Sequence, residues 1–328
     1  MITTRPTLTT RQELLVSGYS SSAVQRARRG GELTALRRGV YTPTGLFYGM
    51  GLELQHASRA RSVVVAAPSL VVSHISAAVL HGLPVRPGGL GQVHVTRIGS
   101  SGGLGDSRRI LHSGQLAADE ITEIDGTRTT SLARTLVDLA RTEPFEAAVV
   151  AADCALHSHP QIIDSVVAVL ARSRRHRGHT AARLALLFAD GRSESVGESR
   201  LRIFLHQHAF IAPELQCEVL DRGGKLIART DLGVPTCGTL MEFDGMAKYG
   251  KLLSPHRTEL EVLRLEKVRE ERLWAAGWQV LRVVWADLRD PVTLAERVRV
   301  AFDRGRRAMT ANLLIGSMTP LPAIRIPR

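Results

Sequence analysis

LIARTDLGVPTCGTLMEFDG (residues 226–245) reads as two apolar runs joined by a Pro-Thr-Cys-Gly turn. The first run carries Asp231 near its end, and the second closes on Glu242 and Asp244. Glu242 and Asp244 are two apart, so on a strand their side chains share a face. Like charges on one face cost energy unless a cation or a base lies against them. Upstream, ELQCEVLD supplies another strand-like run, with a turn at Asp221–Gly224, and SESVGESRLRIFLHQHAF reads as a helix capped near Ser195 with Glu198 in its early turns. Downstream, TELEVLRLEKVREERLWAAG is a long helix stopped by Gly277, and WQVLRVVW is a buried strand. Trp278, Val280 and Leu281 are expected in the core of that strand, with Trp274 ending the helix before it and Trp285 closing the strand.

The resulting order is helix, three strands, helix, strand, which resembles the core of the PD-(D/E)XK nucleases. The segments GESRLR, ARTDLGVP, MEFDGMAKYG and EKVREERLWAAGWQVLRVVWADL are similar to the Vsr-like branch of that group over about 100 residues. The resemblance implies catalytic roles for Glu198, Asp231, Glu242, Asp244 and Lys267. It also implies an Mg²⁺ ion held by Asp231, Glu242 and Glu198, which would neutralise the scissile phosphate and activate water. The usual motif has a lysine two residues after the glutamate, where this chain has Asp244, so Lys248, Lys251 or Lys267 would have to supply the cation. A nuclease fold kept only as a docking or dimerisation body is the alternative.

The front of the chain is different in charge. Residues 1–45 hold seven arginines against Glu13 and Glu32, whereas residues 191–302 hold 17 lysines and arginines against 16 carboxylates. Thr10 can cap a helix beginning at Arg11, with Glu13 closing a capping box. A second helix follows Ser20-Ser21-Ser22 and ends at Gly30-Gly31. GELTALRRGVYTP then reads as a β-hairpin turning near Arg37-Arg38-Gly39. Helix, helix, hairpin is the outline of a winged helix. The outer face of its second helix carries Gln25, Arg26, Arg28 and Arg29, and its hairpin tip carries Arg37 and Arg38: side chains suited to phosphates and base edges. LLVSGYSSSAVQRARRGGELTALRRGVYTP looks like the N-terminal winged helix of AbiEi-type antitoxins from type IV toxin–antitoxin systems, through Gly18, Gly31, Leu33, Arg38, Gly39, Val40 and Tyr41. That resemblance implies binding to double-stranded DNA, transcriptional autoregulation and a cognate toxin.

Between these parts the chain alternates strand and helix patterns: SLVVSHISAAVLHGLPV, QVHVTRI, TTSLARTLVDLART and EAAVVAADCALH. His74 and His81 are two helical turns apart and can share a face, but with no acidic partner in the pattern they read as structural. Cys154, Cys217 and Cys237 are too few and scattered for a disulfide framework or zinc ribbon. The net charge of +12 favours a polyanionic partner.

The fold class expected is thus a multidomain α/β protein. A winged helix occupies 1–45, a mixed α/β and helical linking region 46–190, a restriction-endonuclease-like α-β-β-β-α-β core 191–305, and a loose basic tail 306–328. No apolar run is long enough for a bilayer and the first residues lack an apolar signal core, so no membrane partner and a cytoplasmic location are expected. Two functions stay open on the sequence, an Mg²⁺-dependent nuclease of a defence type and a DNA-binding regulator without catalysis, with a homodimer possible for either.

Overall fold

The computed structural model describes residues 7–99, 106–245 and 259–327. The chain is a mixed α/β protein with three sheets, and it divides into two compact units. One unit takes residues 1–151, 161–188 and 326–328. The other takes 152–160 and 189–325.

The first unit opens with β1 (Thr9–Thr10), α1 (Arg11–Val16), α2 (Ser21–Arg29), β2 (Leu33–Arg37) and β3 (Val40–Pro43). The caps are those the sequence indicates. Thr10 Oγ1 accepts the Glu13 amide while the Glu13 carboxylate accepts the Thr10 amide, and Ser20 Oγ accepts the amide of Ala23. β2 and β3 pair antiparallel, with Arg37 opposite Val40, leaving Arg38 and Gly39 as the turn. Gly39 has φ +79°, a conformation that a side chain would strain. β1 adds a third strand against β3. Leu14, Val24 and Tyr41, with Leu33 packed against them, form a small core of their own.

After α3 (Thr44–Tyr48) and α4 (Leu52–Ala66) come β4 (Leu70–Val72), α5 (His74–Leu80), β5 (Val93–Ile98), β6 (Arg109–Gly114), β7 (Ile121–Ile124) and β8 (Thr127–Thr130). They build a five-stranded sheet in the order β6-β5-β4-β8-β7. β5 runs antiparallel to β4 and parallel to β6. Val63 and Val64 of α4 pack with Val72, Val93, Val95 and Leu111. Strand alternation therefore turns His94, Thr96 and His112 to the opposite face. The helices α6 (Leu132–Thr142), α7 (Phe145–Ser158), α8 (Ile163–Arg172) and α9 (His179–Phe188) follow, the last residues of α7 belonging to the second unit.

The second unit runs α10 (Val196–Gln207), β9 (Glu214–Leu220), β10 (Leu226–Val234), β11 (Thr239–Asp244), α11 (Glu259–Ala275), β12 (Gln279–Val284), α12 (Pro291–Thr310) and β13 (Ser317–Pro320). Its sheet has the order β12-β11-β10-β9-β13, with β11 and β12 parallel and the other pairs antiparallel. Met241 and Phe243 of β11 pack with Leu201 and Leu205 of α10 and with Leu294 and Val298 of α12. Leu240, facing the other way, packs with Leu273 and Ala276 at the end of α11. A Cβ on Gly197 would meet the Phe243 ring at about 2.0 Å, so the start of α10 lies against the sheet as only glycine permits. The reading of residues 306–328 as a loose extension is corrected. α12 continues to Thr310, and β13 adds itself to β9 with Ser317 opposite Leu220, because the free edge of β9 offers unpaired backbone groups.

Of the three tryptophans, Trp278 is 3% exposed, Trp274 is 55% exposed and Trp285 is half-buried. Trp278→Ala should cost about 3–5 kcal/mol, as for other buried aromatic truncations, and Trp274→Ala less than about 0.5 kcal/mol, as for surface changes. Thermal melts of the two variants beside the parent measure the contrast, and equal melting temperatures would displace Trp278 from the core.

Candidate functional site

Three groups of side chains stand out. The first is the basic front. Gln25, Arg26, Arg28 and Arg29 lie exposed on α2 while Val24 and Ala27 turn inward. Arg38 is exposed at the hairpin turn. None of Arg26, Arg28, Arg29 and Arg38 meets a carboxylate among the described residues. Arg37 is different: it is half-buried, and burial followed by the charge of Arg109 holds its guanidinium below the usual range, with Asp106 opposing. It belongs to the packing of the hairpin more than to its outer surface.

The second group is the carboxylates of the C-terminal unit. Continuing the β10–β11 register past Leu232↔Met241 sets Asp231 across from Glu242. The backbone ladder stops there, and the Asp231 carboxylate accepts the Phe243 amide at 2.8 Å. Glu242 projects with Leu240 toward α11, where Arg269 grips it with two hydrogen bonds of 2.7 and 2.8 Å. Burial works against the Arg269 charge, but the Glu242 contacts outweigh it and raise its pKa. Arg282 lies 3.8 Å from the same carboxylate. Asp244 is half-buried at the end of the strand, opposite Val284.

Glu198 comes from α10, on the other side of the sheet. It is 2% exposed and accepts hydrogen bonds from Ser195 Oγ, the Glu194 amide and Gln216 Nε2. Among the described residues, the three-residue group whose ligand atoms lie within 4.8 Å of one another is made of histidines, not of Glu198, Asp231 and Glu242. Helices on opposite faces of one sheet deliver Glu198 and the partner of Glu242. In this arrangement Arg269 occupies the Glu242 carboxylate that a divalent ion would share. Lys267 is exposed on α11. The cation that pairs with Glu242 is Arg269, two residues further along. Lys248 and Lys251 lie outside the described residues.

The third group was not singled out from the sequence. His74 begins α5, His94 sits on β5 and His112 on β6, and their ring nitrogens lie within 4.8 Å of one another. The parallel register pairs Thr96 with His112, which makes His94 and His112 diagonal neighbours. His94 Nδ1 is 3.1 Å from His112 Nε2, and the His74 and His112 rings stack with centroids 3.6 Å apart. His74 Nδ1 lies 3.0 Å from Ser73 Oγ and 4.0 Å from Asp138 Oδ2. Asp138 is fully buried and receives Arg134 at 3.0 Å and Arg141 at 3.3 Å. Burial, then neighbouring histidines, lower His94 to about 4 and His112 to about 3, and push His74 well down. The shifts favour the neutral form of all three rings. His81 is not a member, since its Nε2 pairs with the Thr130 carbonyl at 2.8 Å. The acidic partner that the sequence pattern lacked is Asp138, contributed by α6 from 64 residues downstream of His74.

These features define a two-unit α/β protein with an exposed basic helix and turn at its front. No family model matches the chain. The uncharacterized proteins Rv2248 and MT2308, from two strains of Mycobacterium tuberculosis, are each 32% identical to it over 195 residues, or 59% of this chain and 69% of theirs. The chain belongs to the family of those two proteins. A solved structure, the RV2827C protein from Mycobacterium tuberculosis, overlays with a TM-score of 0.38 at 17% identity, covering 56% of this chain and 72% of that one, too distant a likeness to carry a conclusion. Among the described residues no helix is long and apolar enough to cross a membrane.

The Glu242–Arg269 pair has a direct consequence for stability. Among the described residues, Arg269→Ala leaves the half-buried Glu242 carboxylate with the more distant Arg282, at a cost of about 1–3 kcal/mol for charged hydrogen bonds lost. Arg269→Lys should recover only part of it, because an ammonium cannot reproduce the two-pronged contact. Urea unfolding reads the difference as a lowered midpoint at unchanged slope. An unshifted midpoint in Arg269→Ala would show that the pair contributes nothing.

Proposed function

We propose that this chain is a duplex-DNA-binding regulator of a toxin–antitoxin or defence type, with an AbiEi-like winged helix at its front and a PD-(D/E)XK-related body at its back. The observation that carries the reading is the set of exposed arginines 26, 28, 29 and 38 beside Gln25, held on one short helix and one hairpin turn with no carboxylate of the described residues against them. On the C-terminal sheet and the helix over it, Arg229, Arg269 and Arg282 are matched by Glu194, Glu242 and Glu266. Counter-ion release from a polyanion rewards cations that are free to meet it. In this reading the helix α2 lies along a groove and the turn at Arg38 reaches the flanking backbone. A cognate toxin and a homodimer belong to the same reading.

A second reading, an Mg²⁺-dependent endonuclease, is favoured by one observation: Asp231 in the middle of β10 lies across from Glu242, with Asp244 at the end of β11, where the β10–β11 ladder stops. It requires Arg269 to release Glu242 on binding DNA. The regulator reading makes no such demand and is preferred.

Fluorescence anisotropy on duplex DNA across a salt series tests the regulator. Joint replacement Arg28→Ala and Arg38→Ala should weaken binding and lower the slope of log affinity against log salt by about 2, close to one unit per phosphate contact. An unchanged affinity in the folded double variant would remove the front of the chain from DNA recognition. Incubating the parent with plasmid and Mg²⁺ or Mn²⁺ should give no cleavage. Cleavage that Asp231→Ala abolishes would put the nuclease reading in its place.

A further inference from the structure

We propose that His74, His94 and His112 form a site for a divalent transition metal of the zinc class, with Asp138 behind His74 orienting its ring. Three imidazoles from three elements converge here, although the chain positions are 18 and 20 residues apart and no local pattern demands it. In a tetrahedral zinc site with metal–nitrogen distances of about 2.0–2.1 Å, the ligand nitrogens stand roughly 3.3 Å from one another. His94 Nδ1 and His112 Nε2, at 3.1 Å, already have that spacing. The His74 nitrogen needs to close by no more than about 1.5 Å from the limit within which all three lie, a movement that a ring rotation out of the stack with His112 supplies.

The outer shell matches the ligand set. A metal-bound histidine commonly donates its other ring N–H to a carboxylate or hydroxyl, which fixes its tautomer. His74 Nδ1 is within hydrogen-bond reach of Ser73 Oγ at 3.0 Å, with the Asp138 carboxylate further behind at 4.0 Å, leaving Nε2 to ligate. Ser73 Oγ in turn accepts Thr96 Oγ1 at 2.8 Å, and Ser76 Oγ joins the His94 amide to His56 Nε2 at 2.8 Å each. Ser73, Ser76, Thr96 and His56 are all buried, so the frame behind the rings is rigid and polar. The backbone at His74 has φ +52°, a strained conformation for a side-chain-bearing residue. Such strain persists where surrounding contacts hold a residue for a purpose. His94 Nδ1 and His112 Nε2 share one proton between them at 3.1 Å, and a bound cation would take the place of that proton once the donor ring carries its hydrogen on the other nitrogen.

The charges around the site are Asp138, Arg134 and Arg141 on α6, with His56 on α4 as the remaining titratable neighbour. The carboxylate is shared by both guanidiniums, so the pocket is not anionic enough for a hard cation such as Mg²⁺ or Ca²⁺. Nitrogen ligands also select for Zn²⁺, Co²⁺ or Ni²⁺. His74 is 5% exposed, while His94 and His112 are half-buried. An ion therefore has a way in, and three protein ligands leave a fourth position for water, the arrangement of a catalytic rather than a purely structural zinc.

The full-length untagged protein, stripped with chelator, is titrated with Co²⁺ and then Zn²⁺. One equivalent of Co²⁺ should bind with the visible d–d absorption of a tetrahedral ion, be displaced by Zn²⁺, and raise the melting temperature. His94→Gln and His112→Gln should each weaken binding by more than about 100-fold, since even outer-shell partners cost about 10–100-fold. His159→Ala, an exposed histidine elsewhere, should bind as the parent does. X-ray absorption on the Zn²⁺-loaded parent needs no variant: a shell of three imidazole nitrogens is expected. A shell of oxygen or sulfur without imidazole, no stoichiometric binding, or unaltered affinity in the two folded glutamine variants would each overturn the assignment.

Discussion

Asp138 is buried to 0% exposure, and its carboxylate is held between Arg134 and Arg141. Arg134 goes on to Glu120, and Glu120 to Arg172. A charge so placed is tolerable only while its partners remain, and removing one partner from a buried pair costs about 3–5 kcal/mol. The network therefore fixes α6 and α8 against the strands of the first unit, and fixes where the Asp138 carboxylate stands relative to His74. The second unit repeats the device with Asp190 against Arg192 and Arg325, and Asp153 against Arg202. A chain with 43 lysines and arginines and only 4% aromatic residues builds part of its interior from guanidinium–carboxylate contacts. They supply directional specificity where large rings would have supplied area.

The same matching explains why net charge alone says little about where a polyanion would bind. Arg134, Arg192, Arg202, Arg229, Arg269 and Arg282 have their acids, and their fields are largely cancelled within a few ångströms. The arginines of α2 and the hairpin turn have none among the described residues, so within that set the potential they project is not consumed. Arg37, drawn in beside Arg109, shows how closely one position along a hairpin divides packing from display.

Much of the local structure was legible because it is decided by neighbours in sequence. The Thr10–Glu13 capping box, the Ser20 and Ser195 caps and the turn at Gly39 each involve residues within four positions. The helix–strand order of the second unit followed from apolar period. The reach of the side chains was not legible in the same way. Whether Glu242 meets a metal or an arginine depends on which helix covers its face, and Arg269 lies 27 residues away. The histidine group required the parallel β5–β6 pairing, which no spacing between His94 and His112 announces. β13 was missed because four residues of mixed polarity near Pro320 form a strand only when an open β9 edge is waiting for them.

Asp153 sits on α7, yet it belongs to the second unit, where Arg202 and the Asp190 amide both bind its carboxylate. The boundary between the units is thus not a single point along the gene. A recombination event that joined a foreign front half at residue 189 would deliver Arg202 to its interior without the acid that neutralises it. Moving the second unit intact therefore means carrying the end of α7 along with it.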